Sequence, residues 1–254
     1  MTIVKMLCHL SLSFLLFTPL ASEAAKNLSI DDAIDAIIAS QRSPFVRMSA
    51  AKRHPFYRDL EAMAELLDAD VRWVGSVAGA VRGLPFHEDR YKFSEADEFD
   101  GWFDEFTSPN LILIHRQATM VILVHELRHA LHLGTHSVVG GNEYDQTLRR
   151  AKLEVVKLHQ ELATMGLKAV RLKRLKTYST RLVESFSEVM AHHGDYRLAE
   201  AFGHSSVEAQ KDLIASYKAE FRRTLKALKK DPLASLQPFV KELETAFEAY
   251  TASL

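Results

Sequence analysis

Residues 119–134, TMVILVHELRHALHLG, place the strongest constraint on how this chain can fold. Met120, Val121, Ile122, Leu123, Val124, Leu127, Ala130, Leu131 and Leu133 leave no polar face except the one made by His125, Glu126, Arg128, His129 and His132. A helix that is apolar nearly all round belongs in an interior. Its titratable side chains are then buried with it, and buried imidazoles and carboxylates need partners. His125 and His129 are one helical turn apart and share a face, so both can offer a ring nitrogen to one metal ion. Glu126 points about 100° round from His125. That sets its carboxylate beside such an ion, where a general base for a water molecule must stand. The HExxH word is therefore read as a metal site in a buried helix, in preference to a surface helix with Glu126 and Arg128 in salt bridges.

The rest of the chain reads as a folded, mainly helical α+β protein. It has 254 residues, 47% hydrophobic and 26% charged, which argues against disorder. Only 10 glycines and 7 prolines, set against many Ala, Leu, Glu and Lys, favour helices over a sandwich or barrel. Lys and Arg total 32 against 33 Asp and Glu, so no net field points to nucleic acid or an anionic membrane as the main partner.

Residues 1–24 have the layout of a cleavable signal peptide. Lys5 gives a short positive start, residues 6–20 an apolar run, and Ser22, Glu23 and Ala24 a small-x-small site cut after Ala24. The run is broken by Pro19 and, at about 15 residues, falls short of the ~20 that a membrane span needs. Cys8, the one cysteine, leaves with it, so the exported chain, periplasmic or secreted, relies on its core rather than on disulfides. No stable membrane span is expected after cleavage. Residues 25–254 are read as a single domain, with an N-terminal part 25–116 and a motif helix and helical part 117–254.

Along the chain, Ser29 is placed to cap a short amphipathic helix with Asp31 and Asp32 in its first turn. A basic connector (Arg42, Arg47, Lys52, Arg53) leads to a helix over 56–67. Residues 70–84 fit either a strand or the start of one followed by a small-residue helix. Residues 88–105 are acidic with interleaved aromatics and are read as an acidic face whose rings pack inward, the alternative being a rim for basic or extended substrates. Residues 111–115, LILIH, read as a short buried strand. It is expected at a sheet edge, where it can pair with an extended substrate. Gly134 is expected as a left-handed cap, and residues 137–142 as a flexible loop. Helices are expected over 145–165, 178–202, 205–229 and 232–251, with the basic cluster Lys168, Arg171, Lys173, Arg174, Lys176 and Arg181 between two of them. That cluster is read as a solvated face or a partner for the acidic segment.

A catalytic zinc takes three protein ligands and keeps one position open. His132 is about 10 Å along the helix axis from His125, too far to share an ion, so it is read as a core histidine or one that supports a ligand. Metzincins follow HExxH with a glycine and then a histidine at positions held here by His132 and Thr135, so His136 is set aside. On the segment RLVESFSEVMAHHGDY, Glu184, Glu188, Ala191 and Asp195 share one stripe with Ser187 nearby. Glu184, Ser187 and Glu188 resemble the second motif of gluzincin metallopeptidases. With His125, Glu126 and His129, the chain resembles a gluzincin-type HExxH zinc peptidase over two helical segments, without a recognisable subfamily.

The resemblance implies a zincin-like fold with a small sheet beside the HExxH helix and a helical C-terminal half. It implies a Zn2+ cofactor on His125, His129 and Glu184, with Glu126 as general base and Glu188 orienting a ligand histidine. Glu188 as the third ligand, or Glu143, remain open alternatives. The expected partner is a peptide or protein substrate. Tyr178, His192, His193 and Tyr196 lie close to the proposed ligand in sequence, and none is assigned as oxyanion donor. The main rival is a non-catalytic periplasmic helical protein that keeps zinc, or only the fold. A di-iron carboxylate centre needs a second ExxH word, which the chain lacks.

Overall fold

The computed structural model describes residues 29–84, 99–104, 110–134, 141–233 and 237–254. The expected signal peptide, His136, the loop up to residue 140 and most of the acidic aromatic segment lie outside these residues.

Ser29 opens helix α1 (Ile30–Ala39) with a reciprocal capping box: its hydroxyl accepts from Asp32 N–H and the Asp32 carboxylate accepts from Ser29 N–H. Ile30, Ala33, Ile34 and Ile37 form the buried face. The short helix α2 (Met48–Ala51) and α3 (Tyr57–Leu66) follow. Residues 69–84 take both of the forms their sequence allows, strand β1 (Ala69–Val74) and then α4 (Val77–Arg82) capped by Ser76.

Strands β2 (Gly101–Asp104) and β3 (Asn110–His115) complete a three-stranded sheet ordered β1-β3-β2. β1 runs parallel to β3, from Ala69↔Asn110 to Val74↔His115, and β2 runs antiparallel to it, from Gly101↔Ile114 to Asp104↔Leu111. The LILIH strand is thus central rather than at the edge. Its continuous apolar run fits burial on both faces: Ile112 and Ile114 join the core that holds α3 and the motif helix, while Leu111 and Leu113 pack against Val77 and Val81 of α4. β1 and β2 are the edge strands, and β2 is drawn from the acidic segment. There Phe99 and Trp102 pack inward on one core and Phe103 on the other.

The motif helix α5 (Met120–Leu133) starts without a side-chain cap at Thr119. The basic connector serves instead: Met120 N–H donates to Val46 C=O and Met48 N–H donates to Ala118 C=O, at 3.0 and 2.7 Å. At the other end Gly134 is extended, with φ −62° and ψ 153°, and not left-handed. Glycine is needed there for closeness, because a Cβ would stand 2.4 Å from Ala130 C=O and 3.1 Å from Asn110 Nδ2.

Four helices make the C-terminal half: α6 (Glu143–Thr164), α7 (Ala169–Ala201), α8 (Val207–Leu228) and α9 (Gln237–Ala252). α7 begins well before Tyr178, so most of the basic cluster lies on its first turns and not between helices. Leu, Arg and Lys there are good helix formers, and Arg171 is tied to Asp231 at 2.6 Å with Arg174 alongside. No helix among the described residues is long and apolar enough to cross a membrane.

Two large apolar cores result. One gathers α1, α2, α3, β3 and most of α5, and the other α6 to α9. α7 runs through both, with Leu175 to Met190 in the second core and Leu198 in the first. Arg128 is buried at this seam and is held by Asp31 at 2.7 Å, which also accepts from Asn142 and Arg197. Removing one partner of a buried ion pair strands the other charge. Asp31→Ala is therefore expected to cost about 3 kcal/mol of unfolding free energy, measured by urea titration, whereas exposed Asp70→Ala should change little.

Candidate metal centre

His125 and His129 lie one turn apart on α5, and their rings meet edge to face with centroids 4.8 Å apart. Each outer nitrogen is engaged by α7. His125 Nδ1 is 2.8 Å from Asp195 Oδ2, and His129 Nδ1 is 2.9 Å from Ser187 Oγ. The two Nε2 atoms therefore turn towards each other, 3.1 Å apart. Glu188 Oε2 completes the convergence at 3.8 Å from His125 Nε2 and 3.6 Å from His129 Nε2.

α7 carries small buried residues along this stretch: Ser187 and Ala191, and then Gly194, where α7 lies so close to α1 that a Cβ would stand 2.9 Å from Ile34 Cδ1. Helix crossings tighten where side chains at the contact are short.

Of the residues singled out for the metal, the structure brings together His125, His129 and Glu188. Glu184 is exposed one turn earlier on α7, and Glu143 is exposed at the start of α6; neither belongs to a cluster of possible ligands among the described residues. Four residues rise about 6 Å along the axis, enough to take Glu184 past the imidazoles. The orienting role expected of Glu188 falls to Asp195, from the same stripe.

His192 adds what the sequence left unassigned. Its Nε2 is 3.5 Å from Glu188 Oε2, its Nδ1 is 2.8 Å from Gln210 Oε1, and its ring stands edge-on to His125. Tyr217 of α8 stacks on it with centroids 5.4 Å apart. Gln210 and Tyr217 sit in an ordinary amphipathic helix with no motif, so nothing local in the sequence marks them. Of the other residues weighed near the ligand, His193 pairs with Tyr250, Tyr196 with Glu200, and Tyr178 packs on the helical core.

Glu126 is buried, and its carboxylate lies against the backbone of Gly101 at the start of β2. A Cβ on Gly101 would be 2.5 Å from Glu126 Oε1 and 2.5 Å from Ile122 Cγ2. Burial pushes the Glu126 carboxyl above the usual carboxylate range, partly offset by His125 and His129. Burial opposes the charge on Glu188 as well, but the neighbouring imidazoles of His129, His125 and His192 bring it down to about 2. His125 is disfavoured as a cation by burial, yet Asp195, Glu126 and Glu188 more than offset this and lift it to about 10.

These features fit a divalent cation. Two imidazole nitrogens and a carboxylate oxygen lie within 4.8 Å of one another, and imidazole with carboxylate is a borderline donor set suited to first-row metals. Asp195 keeps Oδ1 buried without a hydrogen-bond partner beside them, an excess of negative charge that a cation balances.

No family model matches the chain, and neither the curated proteins nor the solved structures contain a significant match to it.

The shifts of His125 and Glu188 make the stability of the metal-free protein depend on pH from two sides. A histidine raised from 6.5 to about 10 contributes stability fully present below 6.5 and lost as pH rises through about 10. A glutamate depressed from 4.5 to about 2 contributes stability present above 4.5 and lost as pH falls through about 2. The contribution of these two groups to the unfolding free energy of the metal-free protein is expected to be greatest between about pH 4.5 and 6.5 and to fall on both sides, while His193, lowered to about 4, adds stability as pH rises from about 4 to 6.5. His125→Gln should remove the decline on the alkaline side, as read by denaturant titrations across pH.

Proposed function

We propose that this chain is an exported zinc-dependent metallohydrolase of the gluzincin type that cleaves peptide bonds. The observation that carries the reading is the convergence of His125 Nε2, His129 Nε2 and Glu188 Oε2, with the Glu126 carboxylate on the same helix. A three-stranded sheet with an antiparallel edge strand next to the HExxH helix agrees with a zincin-like architecture.

His125, His129 and Glu188 would hold the ion, and Asp195 and Ser187 would keep the two rings turned inward. A zinc ion held there would supply polarisation of a substrate carbonyl and a lowered pKa for bound water. Glu126 takes the proton from the attacking water and delivers it to the leaving amine. Its raised carboxyl pKa suits both halves of that transfer. β2 lies at the sheet edge with Gly101 against Glu126, so an extended peptide added along β2 would run past the base.

A second reading rests on His192. If its Nε2, 3.5 Å from Glu188 Oε2, acts as a fourth ligand, the site is closed and the zinc is structural. Zinc content, ligand counting by cobalt absorption spectra and cleavage of an unfolded protein substrate separate the two. For the hydrolase, wild type binds one zinc in an open site, and Glu126→Gln keeps the zinc but loses about 10²–10⁴-fold in rate. Zinc in a closed four-ligand site with no turnover supports the structural reading, and absence of zinc sinks both. Glu188→Gln should lose zinc while Glu184→Gln retains it.

Gly101 supplies a finer check. Gly101→Ala would displace the Glu126 carboxylate, and a misplacement of about 1 Å costs on the order of 10²-fold in rate. Turnover should fall by that amount with zinc still bound; unchanged turnover would take Glu126 out of the reaction.

A further inference from the structure

A second polar constellation lies directly behind the metal centre. His132 Nδ1 is 2.8 Å from Ser187 Oγ, and His132 Nε2 is 2.7 Å from Asp145 Oδ1. The connectivity is that of a Ser–His–Asp nucleophilic triad. Yet Ser187, His132 and Asp145 are each 0% exposed, so no substrate reaches the hydroxyl. Among the described residues, the further group that Ser187 Oγ meets is His129 Nδ1, at 2.9 Å. The constellation ends on the proposed metal ligand.

We propose that Ser187, His132 and Asp145 form a buried relay that fixes the tautomer of His129, making them positioning residues for the metal centre. The consequence for metal binding rests on the metallohydrolase reading; the hydrogen-bond pattern does not.

The direction of each bond follows from donor and acceptor counting. Asp145 accepts on both oxygens, from Asn142 N–H at 2.8 Å and from His132. Burial acts to raise its carboxyl, but the His132 hydrogen bond and the charge of Arg128 hold it below the usual range, so it is an anion. His132 therefore donates through Nε2–H. Burial, with Arg128 and His129 nearby, keeps His132 below the usual histidine range and so neutral. A neutral ring that donates from Nε2 has a lone pair on Nδ1, which takes the single hydroxyl proton of Ser187. Ser187 Oγ has no proton left for His129 and must accept from His129 Nδ1–H. The lone pair of His129 is thereby placed on Nε2, facing His125 Nε2 and Glu188.

Reversing one link reverses all of them. A doubly protonated His132 would donate to Ser187, whose proton would then turn to His129 Nδ1. His125 needs no such relay, because its Nδ1 meets the Asp195 carboxylate directly at 2.8 Å. The Nδ1 of His129 meets the Ser187 hydroxyl where that of His125 meets a carboxylate, and it reaches Asp145 through two intermediates.

Two measurements test the relay. Long-range proton–nitrogen NMR of the metal-free protein, labelled in its histidines, is expected to show His129 protonated on Nδ1 and His132 on Nε2. The opposite pattern, or a doubly protonated His132, overturns the proposal. Zinc affinity is then compared among variants whose fold is checked by thermal melting. Ser187→Ala is expected to weaken zinc binding by about 10–100-fold. His132→Asn keeps an acceptor near the former Nδ1 and should bind zinc more tightly than His132→Leu, which frees the Ser187 proton to turn back to His129. A merely structural role predicts affinities that track melting temperature, and Asn and Leu variants that bind alike overturn the relay. Should a His132 variant fail to fold, Ser187→Ala with unchanged affinity has the same force. Wild-type protein that shows the expected tautomers but takes up no zinc sinks the metal reading and leaves the relay standing; zinc uptake with reversed tautomers does the converse.

Discussion

The structure turns on how two imidazoles of one helix are gripped from behind by another. A histidine free on both nitrogens can spin about χ1 and χ2 and present either face. Here Asp195 and Ser187 of α7 each occupy an outer nitrogen of α5, which leaves the inner nitrogens no direction but towards each other. Much else serves this grip. α7 must lie close to both α5 and α1, so small buried residues, Ser187, Ala191 and Gly194, line it there. α5 must not rotate, so its outer sides are locked into the first core and its start is tied to the connector at Val46 and Met48. Arg128, on the flank of the same helix, is fastened to α1 through Asp31.

The polar seam has a cost that an apolar interface would avoid. Burying Arg128, Asp145, Asp195, His129 and His132 among well-packed hydrophobic residues, with His125 and His192 half-buried beside them, gives up hydration that must be replaced bond for bond. Most of it is replaced: His132 uses both nitrogens, Asp145 both oxygens, and Asn142 bridges the α6 cap to Asp31. Two atoms are left over, Arg128 Nε and Asp195 Oδ1. Buried networks of this kind are weak contributors to stability and strong determinants of geometry.

Much of this could be read from the chain itself. The apolar wrap of residues 119–134 announces a buried helix, and the four-residue step between His125 and His129 announces a shared face; both are local facts. The capped α1 and the amphipathic period of α6 are local as well. What could not be read depends on how distant segments meet. Glu184 and Glu188 are equivalent in periodicity, and only the height at which α7 crosses α5 decides between them. The LILIH strand shows that it is buried but not that β2 lies outside it, since sheet order is a matter of pairing between segments far apart. Gly134 looks like a left-handed cap in sequence, whereas its need for closeness to Ala130 and Asn110 exists only in three dimensions. The basic run before Tyr178 reads as a linker through its charge, yet it continues a helix because Asp231 arrives to meet it.

The separations along the chain carry one more consequence. The bonds that shape the centre join residues 58, 70 and 97 positions apart, while the helices they join are stabilised by neighbours a turn away. Contacts of such span form late, after the entropy of closing long loops has been overcome. A chain still emerging from synthesis, or one whose C-terminal helices have come undone, would carry the HExxH word intact and have no centre at all. Assembly of the site and completion of the fold are thus a single event, and any ion that binds only the finished site adds its binding free energy to the stability of the whole molecule.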